Sequence, residues 1–192
     1  MKRSPPLGQT ITPRAAAELI SHEAIVLEAY LDSVDVWTWG IGITNASGYQ
    51  VYPRYRDRPA PLSECLNAFA TILAESYQPE VEAAFEGHPL NEAEFAAALS
   101  FHYNTGAIGR AEWVQQVKAG ERADARAAFM NWCRPAQILG RRQKECDLFF
   151  DGTWSSDGTT WILPVDKPSY RPNADARQPI NIMDEVRAIF GG

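Results

Sequence analysis

The sequence predicts an α+β fold, in which a small lobe with a helix and a β-hairpin and a larger all-helical lobe have a cleft between them. Two observations support this class. A helix signal at Thr12 and Pro13 is followed by residues 36–44, which are rich in β-branched and aromatic residues and punctuated by glycines. Beyond residue 62, apolar residues recur at helical spacing through several segments that end at Gly or Pro.

The first helix brings an acidic residue to the edge of an apolar face. Thr12 can cap the helix, and Pro13 suits its first position, where the missing N–H costs nothing. Leu19 and Ile20 continue the apolar face, and Glu23 follows Leu19 by one turn near the helix end. A carboxyl group there is partly shielded from water, which suits a general acid. The alternative is a solvated glutamate at a helix terminus.

A β-hairpin is predicted directly after this helix. We expect a strand over residues 28–31, a turn at residues 32–35, which read DSVD and have turn chemistry, and a second strand over residues 36–41. Asp32 and Thr38 then lie near the ends of the two strands. In that position their side chains are free to face a common groove.

Glu23, Asp32 and Thr38 are the residue types that hydrolysis of a glycosidic bond needs. One carboxylic acid must protonate the leaving oxygen, and a second carboxylate must act on the other side of the sugar ring. Glu23 would be the general acid, Asp32 would position or activate a water, and Thr38 would orient that water. If the reaction inverts the anomeric centre, the two carboxyl groups should lie roughly 6.5–9.5 Å apart.

Three blocks of sequence place these residues in a wider pattern. The first block contains Glu23, Tyr30, Asp32, Trp37-Thr38 and Gly40-x-Gly42-x-Thr44. The second is residues 97–107, and the third is Gly140-Arg141-Arg142-x-x-Glu145. Together they resemble the bacteriophage-type lysozymes of glycoside hydrolase family 24, which include phage endolysins. The chain departs from that pattern at Ile43, where many family members have His, and at Asp35, which replaces a common Gly.

The resemblance implies a lysozyme-like fold and a muramidase activity. Such an enzyme cleaves the β-1,4 bond between N-acetylmuramic acid and N-acetylglucosamine in peptidoglycan, with inversion. It also implies that Phe101 and Asn104 contact the substrate and that Arg141 faces the catalytic glutamate. Each has a plainer alternative: Phe101 as a core residue, Asn104 as a helix C-cap, and Arg141 as a surface salt bridge to Glu145.

Two other functions stay open at this stage. A lytic transglycosylase would need the acid Glu23 but no water held by Asp32. A catalytically silent module that binds the wall or serves as a scaffold would need none of the three residues, and their joint presence argues against it.

The 192 residues suit one domain, 1–192. Within it we predict a small lobe at about 12–58, a connecting helix at about 62–86 that Pro79 breaks or restarts, a helical lobe at about 88–152 and a C-terminal extension at 153–192. In the helical lobe we expect a helix opened by a capping box at Asn91 and Glu94, and three further helices near residues 110–118, 121–133 and 139–150.

In the C-terminal extension, the pattern of residues 181–190 predicts a short helix. The extension either packs on the body of the protein or makes a separate contact with the wall or a partner.

Charge and composition limit the partners. The formal net charge of −6 argues against nucleic acid as a partner. Cys65, Cys133 and Cys146 form no CxxC motif, and the three His are scattered, so we expect no metal and no cofactor. Pairing of Cys133 with Cys146 is left open.

The residues at the N-terminus contain no apolar run long enough for a signal peptide or a membrane anchor. We therefore expect a protein that waits in the host cytoplasm, needs a holin or another delivery route for its release, and acts on the peptidoglycan of the wall in the periplasm. We also expect it to be a monomer.

Overall fold

The structure, a computed structural model, describes residues 9–191 and divides into two compact units. The hairpin unit consists of residues 13–73 and 156–191, and the helical unit consists of residues 9–12 and 74–155. The C-terminal extension thus belongs to the same unit as the hairpin, from residue 156 onward. No helix within the described residues has the length and apolar character needed to cross a bilayer.

The hairpin unit begins with helix α1, Pro13–Ser21, which has Pro at its first position. Strands β1 (Val26–Leu31), β2 (Trp37–Gly40) and β3 (Ile43–Thr44) follow and form an antiparallel sheet in that order. The register pairs Tyr30 with Thr38, and Thr38 with Thr44. The predicted hairpin is confirmed, with β1 starting two residues earlier than expected.

The outer edge of β1 is covered by two other segments, which satisfy its backbone groups. Residues 55–60 supply the carbonyl of Tyr55 to Ala29 N (2.9 Å) and the N–H of Ala60 to Leu27 O (2.8 Å). The C-terminal segment, residues 156–191, covers both ends of the strand. Its contacts there are Ile25 N to Trp161 O (2.8 Å), Leu163 N to Ile25 O (2.9 Å) and Leu31 N to Tyr170 O (2.8 Å).

The C-terminal segment contains four short strands and a helix. Strands β4 (Thr159–Ile162) and β7 (Gln178–Asn181) pair with each other, as do β5 (Val165–Asp166) and β6 (Arg171–Pro172). Helix α8, Met183–Phe190, packs on α1 and on α2, Leu62–Ile72. The buried carboxylate of Glu18 in α1 accepts a hydrogen bond from Ser156 N (2.9 Å). Of the two alternatives for the extension, the structure has the one in which it packs on the body.

The helical unit contains five α-helices. They are α3 (Gln78–Ala84), α4 (Glu92–Thr105), α5 (Glu112–Lys118), α6 (Arg122–Met130) and α7 (Leu139–Asp151). The segment predicted at 62–86, with a break or restart at Pro79, is interrupted as expected: a π-helical turn, Leu73–Tyr77, separates α2 from α3. Pro79 explains the interruption, since it cannot donate the hydrogen bond that a continuous α-helix would require. A large apolar core fills the unit and includes Phe95, Leu99, Phe101, Trp113, Phe129 and Phe149.

The capping box predicted for α4 is present in both of its hydrogen bonds. Asn91 Oδ1 accepts from Glu94 N (3.0 Å), and Glu94 Oε2 accepts from Asn91 N (3.1 Å). We expect Asn91→Ala to lower the free energy of unfolding by about 1 kcal/mol, because the backbone N–H of Glu94 loses the side-chain oxygen that accepts its hydrogen bond. Urea unfolding of the purified variant measures this. Asn91→Ser, which keeps a capping oxygen, is the control, and an alanine variant as stable as wild type would contradict the prediction.

Candidate active site

Glu23 lies in the turn between α1 and β1, two residues past the helix end, and is partly exposed. Its N–H donates to Ile20 O (3.1 Å), which continues the last turn of the helix. Its carbonyl accepts from the hydroxyl of Thr160 (3.1 Å), a residue of β4 that is 2% exposed. The backbone of Glu23 is therefore held on both sides, while the side chain remains at the surface of the hairpin unit.

Asp32 directly follows β1 and begins the hairpin turn. Its Oδ1 atom accepts hydrogen bonds from Val34 N and Val36 N, both at 2.9 Å, and its carbonyl accepts from Asp35 N (3.0 Å). Asp35 adopts a φ of 63°, a left-handed conformation that Asp tolerates better than most residues. These bonds fix the carboxylate of Asp32 in one orientation. Its Oδ2 atom receives no hydrogen bond from residues 9–191 and can accept one from a water.

Thr38 lies on β2, opposite Tyr30 of β1. It is 3% exposed, and its hydroxyl donates to Val36 O (3.1 Å). The hydrogen of this hydroxyl is thus used within the hairpin, which leaves the oxygen as an acceptor. The pairing of β1 with β2 thus fixes the position of Thr38 relative to the turn that carries Asp32.

Tyr30 lies on β1, between Glu23 and Asp32 in sequence, and was given no role in the sequence-based predictions. Burial of the ring, and then the negative charges of Glu23 and Asp32, raise the pKa of its phenol well above the usual range. The phenol therefore stays protonated at neutral pH. The sequence offered one signal for Tyr30: it precedes Asp32 by two residues, and side chains two residues apart in a strand lie on the same face. The structure adds that Tyr30 is the cross-strand neighbour of Thr38.

A shallow, open depression of about 440 Å³ lies beside Asp32. Its lining comes from the end of β1, the turn and the C-terminal segment, and consists of Tyr30, Leu31, Asp32, Ser33, Arg171 and Pro172. All six residues belong to the hairpin unit. Arg171 and Pro172 were not among the predicted site residues, since nothing in the local sequence places residue 171 next to residue 32.

Phe101 lies on α4 in the helical unit and is fully buried. Its ring contacts those of Trp113 (5.2 Å between centroids) and Phe129 (5.2 Å), and the guanidinium of Arg142 lies 4.6 Å from its centroid. The expectation that Phe101 touches the substrate is corrected, because the enclosed ring has no surface to offer a sugar. Its plainer alternative, a core residue, describes it.

Asn104 is exposed, and its Oδ1 atom accepts a hydrogen bond from Arg142 Nη2 (2.7 Å). It is not the C-cap of α4, since the helix continues to Thr105 and ends at Gly106, which has a φ of 60°. Arg142 thus orients the side-chain amide of Asn104 at the surface of the helical unit.

Arg141 forms an ion pair with Glu145, as its plainer alternative predicted, but the pair is not at the surface. Arg141 Nε donates to Glu145 Oε1 (2.8 Å), and the two side chains are 11% and 0% exposed. The other carboxylate oxygen of Glu145 accepts from Arg142 Nη1, and the Ser100 hydroxyl donates to Glu145 Oε1 (2.5 Å). Glu145 is therefore the centre of a buried polar network that holds both arginines in place.

Within residues 9–191, Cys65, Cys133 and Cys146 are free thiols, so the structure contains no Cys133–Cys146 disulfide. The same part of the chain brings no three His, Cys, Asp or Glu side chains together as a metal site would require.

The sequence model of the phage lysozyme family matches residues 20–145. The match covers more than half of the chain and contains all six predicted site residues. The chain belongs to the phage lysozyme family. It is thus a glycoside hydrolase of lysozyme type that acts on peptidoglycan. No curated protein sequence matches it.

Solved structures of other proteins are similar to this phage lysozyme family member in fold. The endolysin from Escherichia coli O157:H7 phage FAHEc1 is 18% identical, with a TM-score of 0.61 over 77% of this chain and 98% of that one. A mutant of P22 lysozyme is 21% identical, with a TM-score of 0.61 over 73% and 98%. The muramidase domain of SpmX from Asticaccaulis excentricus is 22% identical, with a TM-score of 0.59 over 73% and 97%. The family match ends before the C-terminal segment begins.

Proposed function

We propose that the chain hydrolyses the β-1,4 bond between N-acetylmuramic acid and N-acetylglucosamine, with Glu23 as the general acid. The observation that supports this most is the arrangement of the hairpin unit, in which Glu23 lies in the turn before β1 and Asp32 lies in the turn after it, beside an open depression. The carboxylates are positioned independently: one by the turn after α1, the other by the hairpin turn. Two separately held carboxylates are what acid catalysis and water activation need.

The reaction proceeds by a single displacement with inversion. Glu23 gives its proton to the glycosidic oxygen as the bond from that oxygen to the anomeric carbon breaks. A water, held by Asp32 Oδ2 and by the oxygen of Thr38, attacks the anomeric carbon from the opposite face and gives one proton to Asp32. The tyrosine hydroxyl stays protonated beside both groups and donates a hydrogen bond to the sugar.

Asn104 and Arg141, both in the helical unit, are proposed to bind the substrate. Asn104 is exposed and its amide is oriented by Arg142, so its nitrogen can donate to a sugar or peptide oxygen. Arg141 carries a positive charge that Glu145 holds in place, and it is proposed to bind the substrate.

In the cell, the protein is proposed to act as an endolysin: a monomer that reaches the wall after holin-dependent release and degrades it in the periplasm. The family match supports the wall as the place of action.

The ends of the products distinguish this proposal from its two rivals. Purified peptidoglycan is incubated with the protein, and the released fragments are separated and identified. We expect reducing N-acetylmuramic acid ends, formed first as the α-anomer because the reaction inverts a β-linkage. Anhydro-muramic ends would instead identify a lytic transglycosylase, and the absence of new ends would identify a silent module. Asp32→Asn is the matched control, and it should release no fragments.

A further inference from the structure

The C-terminal segment touches the backbone beside both proposed catalytic carboxylates, although it lies outside the residues that the family match covers. At one end of β1, the buried hydroxyl of Thr160 donates to Glu23 O (3.1 Å) and lies 3.3 Å from Ile20 O. At the other end, the side chain of Arg171 reaches the turn that begins at Asp32. The segment therefore contacts both ends of the strand that separates the two acids.

Arg171 uses both arms of its guanidinium on this turn. Its Nη1 atom donates to Leu31 O (3.2 Å) and to Asp32 O, and its Nη2 atom donates to Asp35 Oδ1. A planar guanidinium makes such a fork with less loss of side-chain entropy per bond than a lysine would. The first and last residues of the turn are thus tied to one rigid group.

The geometry of the turn decides where the carboxylate of Asp32 points. Its Oδ1 atom is held by the N–H groups of Val34 and Val36, so any shift of the turn moves Oδ2 as well. An exposed ion pair alone contributes little, and Asp35 is 73% exposed. The hydrogen bonds from Arg171 to two backbone carbonyls have a larger effect than this ion pair, because they restrain the backbone of Asp32 itself.

Arg171 is itself placed by its neighbour. The carbonyl of Tyr170 accepts from Leu31 N (2.8 Å), and its ring meets the edge of Trp37 at 5.3 Å between centroids. The hydroxyl of Tyr170 lies 3.0 Å from Asp57 Oδ2 and accepts from Arg56 Nε (2.9 Å). This anchor fixes the start of β6 against the hairpin, so the Arg171 side chain leaves a fixed point.

We propose that Arg171 of the C-terminal segment is a positioning residue that holds the turn of Asp32 in its working geometry. This inference rests on the proposed function, since it assigns a purpose to Arg171 only if Asp32 holds the water. It predicts that the segment cannot be exchanged for an unrelated wall-binding sequence without loss of turnover.

The test compares Arg171→Ala with Arg177→Ala. Arg177 lies in the same segment and contacts the ring of Trp161 at 4.6 Å, away from the turn, which makes it a matched loss of one guanidinium. Steady-state kinetics on soluble peptidoglycan fragments give kcat and KM, and nuclear magnetic resonance gives the hydrogen-exchange rates of the Val34 and Val36 amides. For Arg171→Ala we expect kcat to fall roughly ten- to a hundredfold with little change in KM, and both amides to exchange faster. Arg177→Ala should match wild type in all four quantities.

The outcomes separate the two proposals. Unchanged kcat in Arg171→Ala overturns the positioning role even if the amides exchange faster, and a lower kcat with unchanged exchange overturns the restraint of the turn. Full activity in Asp32→Asn would instead remove the proposed function. If Arg171→Ala does not fold, Arg171→Lys serves as the test variant. It keeps the positive charge but loses the two-armed guanidinium, so its kcat should lie well below that of wild type. Wild-type turnover in that variant would overturn the proposal.

Discussion

Glu23→Gln is expected to abolish lysis while leaving the fold intact. Glutamine has nearly the shape of glutamic acid but cannot give up a proton, so the leaving oxygen departs without acid assistance. Two hydrogen bonds that hold residue 23 involve its own backbone N–H and carbonyl, and the substitution leaves both in place. We expect the rate to fall by at least about a hundredfold, the lower range for losing a general acid. The decrease in turbidity of permeabilised cells measures the rate.

Glu75→Gln provides the matched control for this experiment. It makes the same chemical change at an exposed glutamate of the π-helical turn, far in sequence from the hairpin. The control should lyse cells at the wild-type rate, and both variants should unfold at the wild-type temperature. Lysis by Glu23→Gln at the wild-type level would remove Glu23 as the acid, and with it the proposed mechanism.

Glu145→Ala is expected to cause the largest loss of stability. Glu145 is fully buried and accepts hydrogen bonds from Arg141, Arg142 and Ser100. Removing it leaves the fully buried guanidinium of Arg142 without its counter-charge, and burial already lowers the pKa of this group because it disfavours the charged form. Breaking a buried ion pair on one side costs about 3–5 kcal/mol. Thermal and urea unfolding of the variant measure the loss.

Two further variants sharpen this prediction. Lys144→Ala changes the exposed neighbour of Glu145 on the same helix and should alter the free energy of unfolding by no more than about 0.5 kcal/mol. The double variant Glu145→Leu, Arg142→Leu replaces both buried charges by apolar groups, so it should lose less stability than Glu145→Ala alone. If the double variant proves the less stable of the two, the network stabilises the helical unit by something other than charge compensation.

Local sequence patterns predicted the elements that short-range physics decides. The hairpin followed from turn residues between two β-rich runs, and the start of α4 followed from the spacing of Asn91 and Glu94. Both features depend on contacts within a few residues, so their signals are complete in the local sequence. Glu23, Asp32 and Thr38 could be named for the same reason, because all three lie within or beside one helix–hairpin segment. Their catalytic roles remain predictions.

Long-range packing decided the rest. The ring of Phe101 could face either a sugar or a core, and only the placement of Trp113 and Phe129 on other helices enclosed it. Arg171 is separated from Asp32 by well over a hundred residues, so no periodicity or motif could have joined them.

The amino-acid sequence by itself determined the family, the helix–hairpin segment and the carboxylates that it carries, because each is encoded over a short stretch of chain. The tertiary structure alone decided that a C-terminal segment outside the family match closes the edge of β1 and reaches the turn of Asp32. The physical reason is that the backbone groups of an edge strand, and the donors of one guanidinium, bind whichever acceptors and donors the fold brings close to them. Such long-range neighbours cannot be read from the local sequence.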